Sequence, residues 1–258
     1  MDGLPINQII CGDNCDVLGT FPRDCIDLVV TSPPYDDLRT YGGHEWDFYG
    51  VAWQLKRVLK PGGVIVWNVG DATKDGSETG TSMRQALHFQ GIGLNLHDTM
   101  VWEKSGAGVM GSNLCYLQNF EFMYVLSKGR PKSINLIEDR KNVTDPGKIV
   151  RTNTTRNGSS EQVRSVEVRE FGRRFNVWKI NPQKTSDHPA PFPESLARDH
   201  ILSWSNEGDI VLDPFSGSGT TAKMAKHNGR KYIGIEVNAE YCEIAEKRLA
   251  QGVFDFAT

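Results

Sequence analysis

The feature that most restricts the fold is a glycine-containing turn between a predicted strand and a predicted helix. Residues 209–213 form a short apolar run that ends in an acidic residue, and residues 220–227 have the pattern of a helix. The segment from Asp213 to Thr220 (DPFSGSGT) joins them. Glycines at such a junction permit a tight turn and let a ligand approach the backbone closely. This order predicts one unit of a sheet that is wound with helices.

The same alternation of strand and helix is found on both sides of a long irregular segment. Before it we predict strands at 6–11, 26–31, 64–67, 94–103 and 120–127, and helices that end at residue 18 and cover 45–59 and 82–90. After it we predict a helix that ends at residue 202, strands at 209–213 and 232–236, and helices at 220–227 and 239–249. The sequence therefore predicts an α/β fold in which helices cover both faces of the sheet.

Length and composition fit one large domain, or one domain with an insertion, in a chain of 258 residues. No apolar stretch approaches the roughly 18–20 residues that span a bilayer, and the first eight residues lack the pattern of a signal peptide. We therefore expect a cytoplasmic protein without a membrane partner. The five cysteines are scattered and no histidine cluster accompanies them, so we expect no metal site.

The irregular segment differs in charge from the rest of the chain. Residues 128–184 contain 14 Lys and Arg against 6 Asp and Glu, a net charge of +8, which leaves −11 for the remainder. Residues 129–181 show no sustained hydrophobic period. A basic segment on an acidic body suggests a polyanionic partner. The alternative is an insertion that is simply solvated.

A second motif follows the predicted strand at 26–31. It is the sequence from Thr31 to Tyr35 (TSPPY). Each proline fixes its own φ, favours extended geometry in the residue before it and donates no N–H, so nearby carbonyls remain as rigid acceptors. A hydroxyl, fixed carbonyls and an aromatic face could together hold a flat ring that carries an amino group. The alternative is a strand ended by proline, with Tyr35 in the core.

Two carboxylates distinguish the glycine turn from a site for phosphates. Asp213 ends one predicted strand, and Glu236 ends the next, 23 positions later. The second position suits a carboxylate that accepts hydrogen bonds from ribose hydroxyls. Asp213 would repel a pyrophosphate but would suit a ligand with a cationic amino end, and no lysine follows Gly219 as a Walker loop requires. The pattern favours S-adenosylmethionine over NAD.

The two motifs resemble the amino-methylating DNA methyltransferases, which modify adenine N6 or cytosine N4. Their order, with the basic segment between them, resembles the β arrangement of that family, a circular permutation of the usual order. Residues His188 to Glu194 (HPAPFPE) are similar to the family's segment before the cofactor turn. The resemblance covers residues 6–130 and 184–250. It implies a Rossmann-like fold that binds S-adenosylmethionine, action on a base flipped out of double-stranded DNA, and a homodimer.

The resemblance also implies roles for individual residues. Residues 1–130 and 181–258 would form the catalytic and cofactor-binding domain, and residues 131–180 a basic insertion that recognises the target. The cofactor would be bound by Asp13 near the adenine, Glu236 at the ribose, and Ala190, Phe192, Asp213, Phe215, Gly217, Gly219 and Thr220. The target amino group would be held by Ser32, Pro33, Pro34 and Tyr35. DNA would be contacted by Arg151, Arg156, Arg164, Arg169, Arg173 and Arg174.

Several alternatives stay open at this point. An Asp that starts a turn or caps a helix is the other interpretation of Asp13. In the family that the chain resembles, a serine in the first position of this motif, here Ser32, is more typical of cytosine N4 enzymes. A hydroxyl can accept a hydrogen bond from the amino group of either base, so adenine and cytosine stay nearly even as predicted targets. A DNA-binding protein on an inactive methyltransferase scaffold, and an enzyme that methylates RNA or a protein glutamine, are the competing functions. A mechanism in which a cysteine bonds covalently to the base, as in methylation of a ring carbon, is not favoured, because the chain has no Pro-Cys dipeptide to supply that cysteine.

Overall fold

The computed structural model describes residues 3–34, 46–104, 116–156, 159–182 and 193–251, with the backbone alone from 150 to 166. Tyr35, Ala190 and Phe192 lie outside these ranges. The helices are α1 (Asn14–Thr20), α2 (Phe48–Val58), α3 (Thr81–Gly91), α4 (Glu194–Trp204), α5 (Thr220–His227) and α6 (Ala239–Ala250). The strands are β1 (Gln8–Cys11), β2 (Ile26–Thr31), β3 (Leu59–Val69), β4 (Thr73–Lys74), β5 (Ser77–Glu78), β6 (Asn95–Lys104), β7 (Phe120–Ser127), β8 (Arg140–Lys141), β9 (Ile149–Arg156), β10 (Ser159–Glu167), β11 (Phe171–Gly172), β12 (Val177–Ile180), β13 (Ile210–Asp213) and β14 (Lys231–Glu236).

Eight strands form one mixed sheet in the order β1-β14-β13-β2-β3-β7-β6-β12. Strand β7 runs antiparallel to β3 and β6, and the other neighbours in this sheet are parallel. The chain therefore brings β2, from its first part, beside β13, from its last part. This confirms the predicted α/β fold and its permuted order of elements.

Apolar side chains cover both faces of the sheet. On one face Leu18 of α1, Leu55 of α2 and Phe89 of α3 are fully buried in one cluster. On the other face Leu196 of α4 and Ala225 of α5 are buried in a second cluster, which also includes a residue of α6. Strand residues alternate between the two clusters, as the period of two requires. The helices on both faces are therefore the ones that the sequence predicts.

Most predicted element boundaries lie within a few residues of the observed ones, and the largest difference is at 60–63. The sequence KPGG there predicts the end of a helix, and α2 does end at Val58. Strand β3 begins at once with Leu59 and includes these four residues, because Leu59 pairs with Ile26 and the register shifts before Val64 pairs with Leu28. Glycine at position 62, with φ 81°, allows that irregularity.

The basic middle segment is more regular than its sequence suggests. Residues Leu136–Phe175 form a compact unit separate from the rest of the chain. Strands β9 and β10 pair as an antiparallel hairpin, and β8 pairs with β11. The expectation of no regular structure from 129 to 181 is wrong, because the backbone hydrogen bonds that pair two strands do not require a hydrophobic period in the side chains. Strand β12 pairs with β6 and belongs to the large sheet.

Among the helices of the described residues, none is both long enough and apolar enough to cross a bilayer.

Candidate active site

The candidate site lies where the direction of winding reverses in the large sheet. Strand β13 continues through α5 to β14 on one side, and β2 continues through α2 to β3 on the other side. A crevice opens at the carboxyl ends of two neighbouring strands whose connections leave in opposite directions. Asp213 ends β13, and Ser32 follows Thr31 at the end of β2. The fold therefore brings the two sequence motifs to one edge.

A direct hydrogen bond joins the two motifs. The Thr31 hydroxyl donates to Asp213 Oδ1 at 2.6 Å, and both residues are buried. The backbone N–H of Phe215 donates to the same oxygen at 3.1 Å. Asp213 is thus oriented by a residue of β2 and by its own loop. The sequence gives no local signal for the first of these bonds, because the two residues are 182 positions apart.

Burial raises the pKa of Asp213 from 3.8 to about 6. Hydrogen bonds from Thr31, Phe215 and Thr221 act in the opposite direction, and the charge of Glu236 raises the pKa further. A carboxylate at this edge is ionised at neutral pH, but its charge lacks the stabilisation that water would provide. Such a group gains from a cationic ligand more than an exposed carboxylate does.

The turn after β13 has the conformation that its glycines predict. Gly219 has φ 80°, and a Cβ there would lie 2.9 Å from Ala245 Cβ of α6. Arg248 Nη1 donates to the Ser218 carbonyl at 2.7 Å and lies 3.4 Å from the Thr220 hydroxyl. Gly217 has φ 50°. The turn is therefore held in place by α6, and the buried Thr220 contacts Arg248 through its hydroxyl.

Glu236 accepts hydrogen bonds from the loops on both sides of it. Its Oε2 accepts from the Gly217 N–H at 2.8 Å, and its Oε1 accepts from the Asn238 N–H at 2.9 Å. The Gly12 N–H donates to the Glu236 carbonyl at 2.9 Å. The carboxylate thus lies beside the glycine turn, at the end of β14 where the sequence predicts it.

Asp13 is the N-cap of α1. Its Oδ1 accepts a hydrogen bond from the Asp16 N–H at 3.0 Å, which is the capping interpretation that the sequence left open. The next residue, Asn14, is buried, and its Nδ2 donates to the Pro214 carbonyl at 3.3 Å. The start of α1 is therefore attached to the glycine turn. Sequence reasoning missed Asn14, since a polar residue in a first helical turn is unremarkable.

The second motif is described as far as Pro34. Pro33 is buried, whereas Ser32 and Pro34 are half-buried at the end of β2. The prediction for Tyr35 lies outside the described residues, as do those for Ala190 and Phe192. Glu194, the last residue of the HPAPFPE segment, accepts hydrogen bonds from Lys223 at 3.0 Å and Arg248 at 2.9 Å. The segment that contains Ala190 and Phe192 therefore ends at a fixed point on α5 and α6.

An aromatic cluster packs against the glycine turn. The Phe215 ring lies 4.8 Å from the Trp46 ring and 6.2 Å from the Trp67 ring, at steep angles to both. Phe48 and Phe89 extend the cluster on the same face of the sheet. The sequence places Trp46 only in a helical pattern. Its contact with the loop needs the packing of α2 against the sheet and could not be predicted.

The six arginines proposed for DNA contact all lie in the unit 136–175. Arg169 donates to Glu138 at 2.7 Å, and Arg174 donates to Asp139 at 3.0 Å, which lowers the pKa of Asp139. Arg173 is exposed. The other three occupy the hairpin of β9 and β10, where the backbone alone is described: Arg151, Arg156 and Arg164.

Within the ranges that the structure describes, no three His, Cys, Asp or Glu side chains cluster closely enough to hold a metal ion.

Comparison with known proteins identifies the family of this chain. A family model for N6 and N4 methyltransferases, described as DNA methylase, matches residues 26–247. The orphan methyltransferase M.BamHII of Bacillus amyloliquefaciens is 56% identical over 238 residues, which cover 88% of this chain and 89% of that protein. The DNA adenine methyltransferase YhdJ of Escherichia coli is 28% identical, with 96% and 84% covered.

A solved structure from Thermus thermophilus is similar over nearly the whole chain. It is described as a putative DNA modification methylase in complex with S-adenosyl-L-methionine. The TM-score is 0.64 at 25% identity, and the match covers 96% of this chain and 97% of that one. The matched family model spans both motifs of the edge formed by β2 and β13. The chain therefore belongs to the family of amino-methylating DNA methylases.

Proposed function

We propose that the protein transfers a methyl group from S-adenosylmethionine to the exocyclic amino nitrogen of adenine or cytosine at a specific site in double-stranded DNA. One observation carries this proposal. The hydrogen bond of 2.6 Å between Thr31 and Asp213 places the proline motif and the buried carboxylate side by side. A methyl donor held by one and an amino group held by the other would meet in the same crevice.

The residues at the glycine turn fit S-adenosylmethionine. Asp213 supplies a buried carboxylate for the cationic amino end, and Gly219 lets the turn pack closely against Ala245 of α6, which fixes its backbone beside that carboxylate. Glu236 would hold the ribose, and Phe215 would contribute an apolar wall. S-adenosylmethionine, when bound, supplies an electrophilic methyl group on its sulfonium. Asp13, Ala190, Phe192, Gly217 and Thr220 remain proposed members of this pocket.

The proline motif would make the amino group a better nucleophile. The lone pair of an exocyclic amine is delocalised into the ring, so the group is poorly reactive. The Ser32 hydroxyl and the Pro33 carbonyl would accept its N–H hydrogen bonds, which favours a more tetrahedral nitrogen and stabilises the positive charge that develops there. Pro34 holds the backbone extended, and Tyr35 would stack on a base that has left the duplex.

The unit 136–175 would contact the DNA. Its exposed basic side chains suit phosphates, which supply affinity without sequence information, and a few of them would reach base edges. Arg173 is the clearest candidate because it is exposed. Arg169 and Arg174 would have to exchange their carboxylate partners for phosphates.

Which base is methylated stays part of the proposal. The family model covers both N6 and N4 enzymes, and one relative carries the name of an adenine enzyme. The serine at position 32 favours the other base, because serine at this position of the motif is more typical of cytosine N4 enzymes. Either amino group can donate to the Ser32 hydroxyl and the Pro33 carbonyl.

We also propose a homodimer. Tyr49, Trp53, Met83 and Leu87 are each more than half exposed on α2 and α3, and the Tyr49 ring lies 4.8 Å from His88 of α3, so the two helices share this surface. Together they present roughly 500 Å² of apolar area. A homodimer interface of about 800 Å² per partner, about 65% apolar, needs a similar amount.

Sedimentation velocity tests the homodimer. The wild type should sediment as a dimer, and the double variant Trp53→Glu, Leu87→Glu as a monomer. Val143→Glu, at a fully exposed position of the small unit, should remain dimeric. A monomeric wild type, or a dimer that survives the double variant, would contradict the proposal.

The decisive experiment for the activity is to incubate unmethylated DNA with the protein and S-adenosylmethionine and to identify the nucleosides by mass spectrometry. N6-methyladenine or N4-methylcytosine supports the proposal and names the base. Ser32→Ala should lower turnover roughly 100-fold while cofactor affinity is preserved, and the exposed Ser77→Ala should change neither. Cofactor binding with no methylated DNA would favour a DNA-binding protein on an inactive methyltransferase scaffold. Methylated RNA or protein would favour an enzyme that methylates RNA or a protein glutamine.

A further inference from the structure

Strands β2 and β13 separate just before they reach the site. Their backbone pairing includes Val211 with Leu28 and Leu212 with Val29. Beyond these pairs, β2 remains paired with β3 on its other side as far as Thr31. The last residues of β2 and β13 are therefore held to one another by side chains.

Two threonine hydroxyls make hydrogen bonds at these strand ends, one between β2 and β13 and one between α5 and β2. Thr31 donates to Asp213 Oδ1 at 2.6 Å, and Thr221 of α5 donates to the Val30 carbonyl at 3.1 Å. Both threonines have 1% exposure, so water does not compete with either bond. Thr221 also lowers the pKa of Asp213.

We propose that Thr31 is a positioning residue for the cofactor: its hydroxyl holds the Asp213 carboxylate in the charged form and orientation that receive the amino end of S-adenosylmethionine. The inference rests on the proposed function, in which Asp213 binds that group. The inference means that part of the cofactor affinity depends on β2, the strand that leads into the proline motif.

A purely structural role would not require this residue. Valine has nearly the shape of threonine, is also branched at Cβ and suits a buried strand position at least as well. What threonine adds is one hydroxyl, and that hydroxyl donates to a carboxylate. Hydrogen bonds to a charged group are stronger than those between neutral groups.

The groups around Asp213 determine the direction of the expected pH effect. Thr31 reaches it from β2, the Phe215 N–H from the turn and Thr221 from α5, and all three lower its pKa; Glu236 on β14 is the charged group that raises it. Loss of the Thr31 donor therefore raises the pKa further above about 6. More of the carboxyl group is then protonated at pH 7, and affinity for a cationic ligand falls.

Calorimetric titration of S-adenosylmethionine between pH 5.5 and 8.5 tests the inference. At the acid end of this range, wild-type affinity should weaken below about pH 6. Thr31→Val should bind roughly tenfold more weakly at pH 7, recover towards the wild type at pH 8.5 and shift the midpoint of the pH profile upwards. Thr31→Ser should restore the wild-type profile. Thr20→Val, at an exposed hydroxyl that bonds within α1, is the matched control.

The outcomes separate the inference from the proposed function. A wild type that binds no S-adenosylmethionine contradicts the function itself. A wild type that binds, with Thr31→Val unchanged in affinity and pH midpoint, overturns the role of Thr31, as does a Thr31→Ser variant as weak as Thr31→Val. If Thr31→Val does not fold, Thr31→Cys, a weak donor of similar size, should give a smaller shift in the same direction, and an unchanged profile would overturn the inference.

Discussion

The edge formed by β2 and β13 and the unit 136–175 are built in opposite ways. At the edge, Thr31, Asp213 and Thr221 are buried; Thr31 donates to Asp213, and Thr221 donates to the Val30 carbonyl. In residues 136–149 and 167–175 of the small unit no side chain is fully buried, and Arg169 and Arg174 form ion pairs at the surface. Interactions at the edge are shielded from water, whereas those of the small unit are screened by water and salt.

The difference suits two different tasks. Methyl transfer needs atoms held within a fraction of an ångström, which buried and interlocked groups provide. Contact with DNA phosphates needs charge that can adapt to a long polyanion, and exposed arginines provide that. We therefore expect substitutions at the edge to have large and local effects, and substitutions in the small unit to have small effects that depend on salt.

The largest effect is expected for Asp213→Asn. Loss of the carboxylate should weaken S-adenosylmethionine binding roughly 100-fold or more, measured by calorimetry. The same variant should be more stable at pH 7 by about 1–3 kcal/mol, because the raised pKa means that the folded state binds the proton more tightly than the unfolded state. In the wild type this group opposes folding above pH 6, and its contribution improves as the pH falls towards 4. Denaturant unfolding at two pH values checks the sign; a destabilised Asp213→Asn would contradict it.

A pair of glycine variants compares the two regions directly. Gly219 and Gly147 have φ 80° and 84°, but a Cβ at Gly219 would meet Ala245 at 2.9 Å, and one at Gly147 would meet nothing within 4 Å. Both Gly→Ala changes carry the cost of positive φ, about 1 kcal/mol. Gly219→Ala should cost about 1–3 kcal/mol more and should weaken cofactor binding. Equal stability of the two variants in urea unfolding would mean that the turn is not tightly packed.

The exposed Arg173 should affect DNA binding and nothing else. Arg173→Ala should weaken DNA affinity a few-fold and lower the slope of log affinity against log salt by about 0.9. S-adenosylmethionine affinity should not change. The exposed Arg23 before β2 is the matched control. The expectation fails if Arg173→Ala leaves the salt slope at its wild-type value, or if Arg23→Ala lowers it equally.

The smallest effect is expected for Asp139→Asn. The ion pair with Arg174 is half-exposed, so its loss should cost less than about 1 kcal/mol. Its contribution is present above the ordinary pKa of an aspartate and is lost as the pH falls through the lowered pKa of Asp139. Hydrogen exchange of peptides from 136–175 should show slightly faster exchange in the variant. A large change would mean that this unit depends on single contacts as the edge does.

Much of this structure could be predicted from local sequence. Apolar runs between polar turns located β2, β7 and α5 with the same bounds that the structure gives. The glycines at 217 and 219 indicated the turn, because their backbone conformations exclude most other residues. The hairpin of β9 and β10 was missed, since its sequence is largely polar and shows no period of two.

The sequence alone determined the helices, most strands of the large sheet, the identity of both motifs and the charge of the middle segment, because these depend on residues close together in the chain. The tertiary structure decided what joins the motifs. The contacts of Thr31 with Asp213, of Asn14 with Pro214 and of Trp46 with Phe215 connect positions that are far apart in the chain, and each depends on the order of strands and the packing of helices on them. The order of strands brings the end of β2 beside β13, and burial there gives an ordinary aspartate its raised pKa.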